Sequence, residues 1–384
     1  MIAVDVKVAV LVALCVSVVL CTALVTLART RWQRLVRHGD VGAVQAAHST
    51  PTPRIGGFAI LAAFLVGCAI TFWGQGTLWF LLLLAVAPLF VSGAAEDLGY
   101  RVSPAGRLGA ALFASALAVP LTGTWITGTG VLLLDPFFAF APVAVLITII
   151  AASTIAHAFN LIDGLNGLSG FTAVLASAGI AVSANAVGDT EIAGMALLLG
   201  AAVAGFLVLN FPTGKIFLGD AGAYTVGFLL AWLGIALSAR SPEVTPVAMV
   251  LILFWPLGDL ALAIYRRHRR NLPVSQPDRL HFHQLVMRGL EICVLGRGRR
   301  SVANPLATMV ILPLLAAPVA AGTLLHAQPL AAALALVATF ALFFGTYALG
   351  MRLATSRMRS EIVSALAAPR RRATLADAHT GNSA

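Results

Sequence analysis

Long apolar runs separated by short polar stretches set the pattern of this chain. Segments such as "VAVLVALCVSVVLCTALVTLA", "LWFLLLLAVAPLFVSGAA" and "AGMALLLGAAVAGFLVL" approach the roughly 20 apolar residues a helix needs to cross a bilayer. About eleven such runs occur, near 8–28, 55–73, 78–95, 107–126, 137–158, 168–185, 192–209, 222–239, 245–265, 304–325 and 328–350. Backbone polar groups in hydrocarbon must be bonded within the segment, so the runs are expected to be helices. The expectation is an all-α, polytopic membrane protein with about eleven transmembrane helices. Residues 1–350 are expected to form a single transmembrane domain and residues 351–384 a basic, disordered tail. The first run is too long for a signal peptide, and its basic cluster follows it rather than precedes it, so it is expected to be a span.

Composition agrees with that pattern. Of 384 residues, 59% are apolar and 10% charged, with a mean hydropathy of +0.93. The net charge of +10 would suggest nucleic acid until it is mapped. With the N-terminus on the periplasmic side, 23 of the 25 Lys and Arg residues fall in cytoplasmic segments or the tail; only Lys7 and Arg240 lie outside. Cationic residues near helix ends favour the cytoplasmic face and its anionic lipid. The charge therefore implies topology, with a cytoplasmic C-terminus, and no nucleic-acid partner is expected. The four Cys show no paired spacing, so no disulfide framework or zinc site is suggested by them.

In this topology the chemically costly stretches all reach one face: "HSTPTPRIGG", "GAAEDLGYRVSPAGRL", "HAFNLIDGLNGL", "NFPTGKIFLGDAGAYTVGF", "PLGD" and "PDRLHFHQ". A transporter would keep some acids or bases near the midplane. If residues 156–170 continue a helix, Asn160, Asp163, Gly164 and Gly167 share a face; small-residue packing is the alternative. Glu96 and Asp97 are adjacent carboxylates, either a water-facing helix-end pair or a pair relieved by a divalent cation. Asp220, between Gly219 and Ala221, reads as a helix N-cap or as an oxygen ligand suited to Mg²⁺. Asp259, seven residues before Arg266, would lie about 10 Å inside a straight span, paired with an Arg or a polar group of a neighbouring helix. Arg279, His281 and His283 share one short loop whose H-x-H alternation puts both rings on one side if the loop is extended. That set suits phosphate or sugar hydroxyls better than zinc.

Together these stretches resemble the polyprenyl-phosphate N-acetylhexosamine-1-phosphate transferases, over roughly residues 45–290. "PTPRIGG" is similar to that family's first cytoplasmic loop and "EDLGYRVSP" to its Asp-Asp motif. "HAFNLIDGLNGLSG" is similar to its Asn-x-x-Asn-x-x-Asp-Gly motif, and "NFPTGKIFLGDAG" to its Asn-x-Pro…Phe-x-Gly-Asp motif. "PDRLHFHQLVMRG" resembles the His-x-His-His loop of the GlcNAc-1-phosphate branch. Glu96, His157, Ala223 and Gln284 depart from the family pattern, standing for Asp, Asn, Ser and His.

The resemblance implies an enzyme that takes a UDP-N-acetylhexosamine donor and an undecaprenyl phosphate acceptor in the bacterial cytoplasmic membrane and releases UMP, as the first membrane step of a surface polysaccharide. It implies Mg²⁺, with Mn²⁺ as the alternative, held by Asp220 and Asp97. Glu96, Asp97, Asp163 and Asp220 would be catalytic. Asn160 would hold the nucleotide or metal shell, Phe217 stack on uracil with Asn166 near the base, Asn210 and Lys215 steady phosphates, and Arg279, His281 and His283 meet the sugar phosphate. A homodimer is a family-level expectation. A transporter with cytoplasm-facing ion sites is the alternative of a different class; a CDP-alcohol phosphatidyltransferase would want Ala-Arg shortly after its Asp-Gly, and "DGLNGLSG" lacks it.

Overall fold

All eleven runs are helical in the computed structural model, which describes residues 6–30, 52–74, 77–271, 281–296 and 298–355. The elements are α1 (Val6–Thr30), α2 (Gly56–Phe72), α3 (Leu78–Asp97), α4 (Pro104–Thr122), α5 (Ala141–Ile162), α6 (Leu168–Ala186), α7 (Thr190–Asn210), α8 (Gly219–Arg240), α9 (Pro246–Ile252), α10 (Phe254–Arg269), α11 (Phe282–Gly289), α12 (Arg300–Leu324) and α13 (Pro329–Thr355). Among the described residues there is no strand, and nine helices are long and apolar enough to cross a membrane. Helix α2 is shorter, at 17 residues. Helix α13 continues past Met351 to Thr355, into the stretch expected to be tail; residues 356–384 lie outside the described residues.

Two expectations about continuity are corrected. The run at 245–265 is not one straight helix: α9 and α10 are bent by 80° at Leu253. In a continuous helix the ring of Pro256 would meet the carbonyl of Ile252, whereas Pro is tolerated in the first turn of a new helix. The depth of 10 Å expected for Asp259 assumed a straight span and no longer holds. The second correction concerns residues 157–170. Helix α5 ends at Ile162, Asp163 caps it at φ −76° and ψ 51°, and α6 starts after Gly167 at φ +79°. Asn160, Asp163, Gly164 and Gly167 thus border a turn rather than line one helical face.

Helix α8 is the hub. Every residue from Gly219 to Leu237 is buried, and α2, α3 and α5 pack around it, with α6 and α7 behind. The outer helices present Leu11, Val19, Phe80, Phe113, Ile150 and Leu342 to the outside, each at least half exposed, as a lipid-facing surface requires. The ends of α3, α5 and α7 and the starts of α2, α4, α6, α8 and α12 meet at one end of the bundle, joined by hydrogen bonds between their loops.

Close approach at that end depends on absent side chains. A Cβ on Gly93 would lie 2.6 Å from both N and Cα of Ala221, and one on Gly57 would overlap the backbone of Gly222. Small residues let membrane helices touch through their backbones. Because overpacking a tight contact costs about 1–3 kcal/mol, Gly93→Ala and Gly57→Ala should each lower the thermal midpoint of the detergent-solubilised protein. Gly109→Ala, on a face of α4 with nothing within 4 Å, should leave it unchanged or raised. Equal midpoints for all three variants would show that these contacts do not constrain the bundle.

Candidate active site

A helix leaves its first backbone N–H groups without partners, and at a buried helix end those groups need acceptors. The start of α8 receives them from other helices. Asp97, the last residue of α3, accepts from Asp220 N through Oδ1 and from Ala221 N through Oδ2, both at 2.9 Å. Gly219 N–H lies against the carboxylate of Asp163, which also accepts the Ser169 hydroxyl at 2.6 Å. Gly219 itself sits at φ +78°, and a Cβ there would stand 2.5 Å from Asp97 Oδ2, so only glycine fits.

The first turn of α8 then points Asp220 into a cluster of charge. Its Oδ1 accepts from Arg54 Nη2 at 2.9 Å and Asn160 Nδ2 at 3.1 Å, and its Oδ2 from Arg107 Nη1 at 3.0 Å. Arg54 Nε also lies 3.9 Å from Asp97 Oδ1. Burial alone would lower the Arg54 guanidinium, but Asp220, Asp97 and Asp163 outweigh it and hold it above its ordinary value. Burial pushes the Asp163 carboxyl up to about 6, against the pull of the Ser169 hydroxyl and of Arg54. Glu96 turns away from Asp97, accepting Val102 N at 2.9 Å, so the two adjacent acids do not face each other as a pair. Beneath the cluster, His157 packs edge-on against the ring of Tyr224, with centroids 5.0 Å apart.

Two of the expected ligand contacts, Asn166 and Asn210, bond backbone groups of neighbouring loops. Asn210 is buried; its Oδ1 accepts Gly167 N at 2.7 Å and its Nδ2 donates to Ile216 O at 2.8 Å. Asn166 donates from Nδ2 to Pro212 O and from its backbone N to Asn304 Oδ1, each at 2.8 Å. Both side chains therefore tie loops together. The loop they hold carries Lys215, exposed, and Phe217, half-buried. Phe217 is locked by its backbone, which accepts Gly56 N and donates to Pro53 O, each at 2.9 Å.

His281 and His283 are not on an extended loop: His281 is the N-cap of α11 and His283 lies in its first turn. Both rings nevertheless face one acceptor, with each Nδ1 3.1 Å from Asp259 Oδ2. The partner of Asp259 is thus this pair of imidazoles. Arg279 falls outside the described residues. The structure brings Asp97, Asp163, Asp220 and Asn160 into one cluster and reaches it from a second side with His283, whose Nε2 would meet a Cβ placed on Gly164 at 2.7 Å.

Arg54 and Arg107 are the site residues that sequence reasoning did not single out. Both entered only as part of the cytoplasmic charge, although both lie inside polar stretches. The usable signal was electrostatic: acids gathered at one buried helix end need counter-charges. Their exposure decides what the cluster can receive. Arg54 and Arg107 keep 37% and 25% of their side-chain surface, against 1% for Asp97 and 6% for Asp220. An anion entering this end meets guanidinium first and carboxylate behind it. Among the described residues no three His, Cys, Asp or Glu groups stand close enough to hold a metal by themselves. The three carboxylates of Asp97, Asp163 and Asp220 against two guanidiniums still leave a negative excess of hard oxygens, which suits a divalent cation that takes one or two carboxylates and completes its shell with water and phosphate.

Residues 79–238 match the family model described as glycosyl transferase family 4. A relative from Bacillus subtilis (strain 168), named as a probable undecaprenyl-phosphate N-acetylglucosaminyl 1-phosphate transferase, is 30% identical over 244 residues, 62% of this chain and 67% of the relative. An undecaprenyl-phosphate alpha-N-acetylglucosaminyl 1-phosphate transferase from Yersinia pestis is 26% identical over 246 residues, 63% of this chain and 67% of the relative. A protein of the same name from Escherichia coli (strain K12) is 31% identical over 169 residues, 43% of this chain and 44% of that protein. With the matched region running from α3 through α8, and so containing Asp97, Asp163 and Asp220, the chain belongs to glycosyl transferase family 4.

Proposed function

We propose that the protein transfers an N-acetylhexosamine 1-phosphate, GlcNAc 1-phosphate first among them, from a UDP-sugar to undecaprenyl phosphate and releases UMP. The reaction belongs at the cytoplasmic face of the bacterial cytoplasmic membrane, as an early step of surface-polysaccharide synthesis. The observation that carries the reading is the cluster of Asp97, Asp163 and Asp220 with Arg54 and Arg107 at one end of the bundle, where a water-borne donor and a lipid headgroup can meet. A transporter would need such groups midway through the bundle.

Transfer between two phosphate groups depends on neutralising charge and on setting the attacking and leaving oxygens in line. Arg54 and Arg107 are placed to receive phosphate oxygens, bidentate donors being well matched to them. Asp220 is the residue to hold Mg²⁺, or Mn²⁺, which when bound would neutralise the diphosphate of the donor. Arg54 and Arg107 would then bond phosphate oxygens of the substrate in place of those of Asp220. Asp97 acts from behind, fixing the first turn of α8 and through it Asp220. A strong base is not required, since the second pKa of a phosphate monoester is about 6 and the acceptor is largely ionised. Phe217 and Lys215 share the loop that would meet uracil and phosphate, with Asn210 and Asn166 holding that loop in place.

Membranes carrying the protein, supplied with sugar-labelled UDP-GlcNAc, Mg²⁺ and undecaprenyl phosphate, should give a butanol-soluble product and UMP; release of UDP would mean transfer of the sugar alone and overturn the proposal. Turnover should stop on chelation and return with Mg²⁺. Asp220→Asn should abolish turnover while leaving the thermal midpoint near that of the parent. Asp97→Asn should lose turnover and also lower the midpoint, because an amide has one acceptor oxygen for two N–H donors and a lost cap costs about 1 kcal/mol. Near-normal turnover in Asp97→Asn would remove Asp97 from the machinery.

A further inference from the structure

One carboxylate organises the whole His-Phe-His segment. Asp259 is fully buried on α10. Its Oδ2 faces Nδ1 of His281 and Nδ1 of His283 at 3.1 Å each, and its Oδ1 accepts Phe282 N at 3.0 Å. Three consecutive residues are thus held by a single side chain, within the acceptor capacity of an ionised carboxylate. The two imidazoles are stacked, with centroids 5.5 Å apart and planes 18° apart. Phe282 is clamped between Trp255, at 5.3 Å, and Phe343, at 4.8 Å. The rings therefore have little freedom to turn.

A purely structural cluster would satisfy its polar atoms. Here, among the described residues, the buried Nε2 of His283 finds no hydrogen-bond partner, a state that costs about 1–3 kcal/mol. That atom is aimed at the turn after α5, where a Cβ on Gly164 would lie 2.7 Å away. Gly164 follows Asp163 directly, so the unpartnered nitrogen stands at the edge of the carboxylate cluster.

We infer that Asp259 is a positioning residue for the transfer site: it accepts a hydrogen bond from Nδ1–H of His281 and of His283 and leaves each Nε2 as the atom that acts, with His283 Nε2 set against the Asp163–Gly164 turn. A carboxylate behind an imidazole fixes which ring nitrogen carries the proton and how the ring is turned. Both rings are buried, and with the proton on Nδ1 the Nε2 of a neutral ring accepts a hydrogen bond, so the ligand chemistry that fits at that atom is a hydroxyl of the donor sugar. The kinetic part of this inference rests on the phosphosugar-transfer reading; the tautomer part does not.

The test uses the full chain in nanodiscs. Asp259→Asn should lower kcat by about 10- to 100-fold, the range for loss of a group behind an acting ligand, with a much smaller change in the donor KM. The same substitution made in a His281→Ala/His283→Ala background should cost less than about twofold more, since residues that act as a unit are not additive. Full activity in Asp259→Asn, or an equal loss in both backgrounds, would overturn the inference. Where Asp259→Asn does not fold, ¹⁵N spectra of histidine-labelled parent protein decide, with signals assigned through the single His variants. Both rings should carry a proton on Nδ1, and a ring without one sinks the proposal. Absence of turnover with every UDP-N-acetylhexosamine, beside the expected tautomers, would count against the transfer reading and leave the role of Asp259 in fixing the rings standing.

Discussion

The site depends on how the start of α8 is satisfied. This helix begins at the end of the bundle where the loops meet, with its first residues buried and with backbone N–H groups that no residue of its own turn can bond. Asp97 from α3 and Asp163 from the α5–α6 turn supply the acceptors. Two charged groups from distant parts of the chain are thereby held at the positive end of a helix dipole, where a negative charge is favoured. The same bonds fix where Asp220 can point, because it is the second residue of α8. Capping and the placement of the Asp220 carboxylate are one structural event here. The empty space at Gly57, Gly93 and Gly219 allows α2 and α3 close enough for it to happen.

Such an arrangement gathers acids that would repel one another, and the two arginines answer them. Arg54 arrives from the loop before α2 and Arg107 from the first turn of α4, each bonding a different oxygen of Asp220. An ion pair held this way is not mainly a source of stability, since taking the charges from water offsets much of their attraction. Its value lies in readiness. The arginines are the outer, more exposed members and the carboxylates the inner ones, so an anionic ligand and a cation can replace the internal pairs without an unpaired charge being left behind. Fixed dipoles and charges that need little reorganisation are the usual basis of catalysis in phosphoryl transfer.

The helical pattern was legible because membrane spans repeat one simple signal: every expected run is a helix, and the glycine-rich polar stretches mark the ends that meet. The chemistry-bearing acids were legible for the related reason that Asp and Glu are scarce in an apolar chain, so each one stands out. Local geometry was not. The periodicity of residues 157–170 fits a helix as well as a turn, and nothing short of the packing of α6 shows that Asp163 is a cap. Asn166 and Asn210 look like ligand contacts in a motif, yet their amides are taken by backbone groups that lie 46 and 43 residues away or nearer. No local rule reports such pairings. Arg54 and Arg107 were hidden by a general explanation: membrane topology accounts for a basic excess so readily that two residues bonded to Asp220 passed as ordinary members of it.

The bend between α9 and α10 closes the argument. A straight span would carry Asp259 into the bilayer away from the cluster, with a buried charge to satisfy and no loop within reach. Broken at Leu253, the segment instead lays α10 against α5 and beside α12, and Asp259 meets the histidines of α11. Since α11 also packs on α12, and Asn304 of α12 bonds the Asn166 backbone, the histidine pair and the Asp163 turn share one rigid support. Transfer between two phosphates is sensitive to displacements of about 1 Å. Building the histidine pair and the Asp163 turn on helix ends that brace each other, rather than on separate loops, is how a bundle of apolar helices can meet that tolerance.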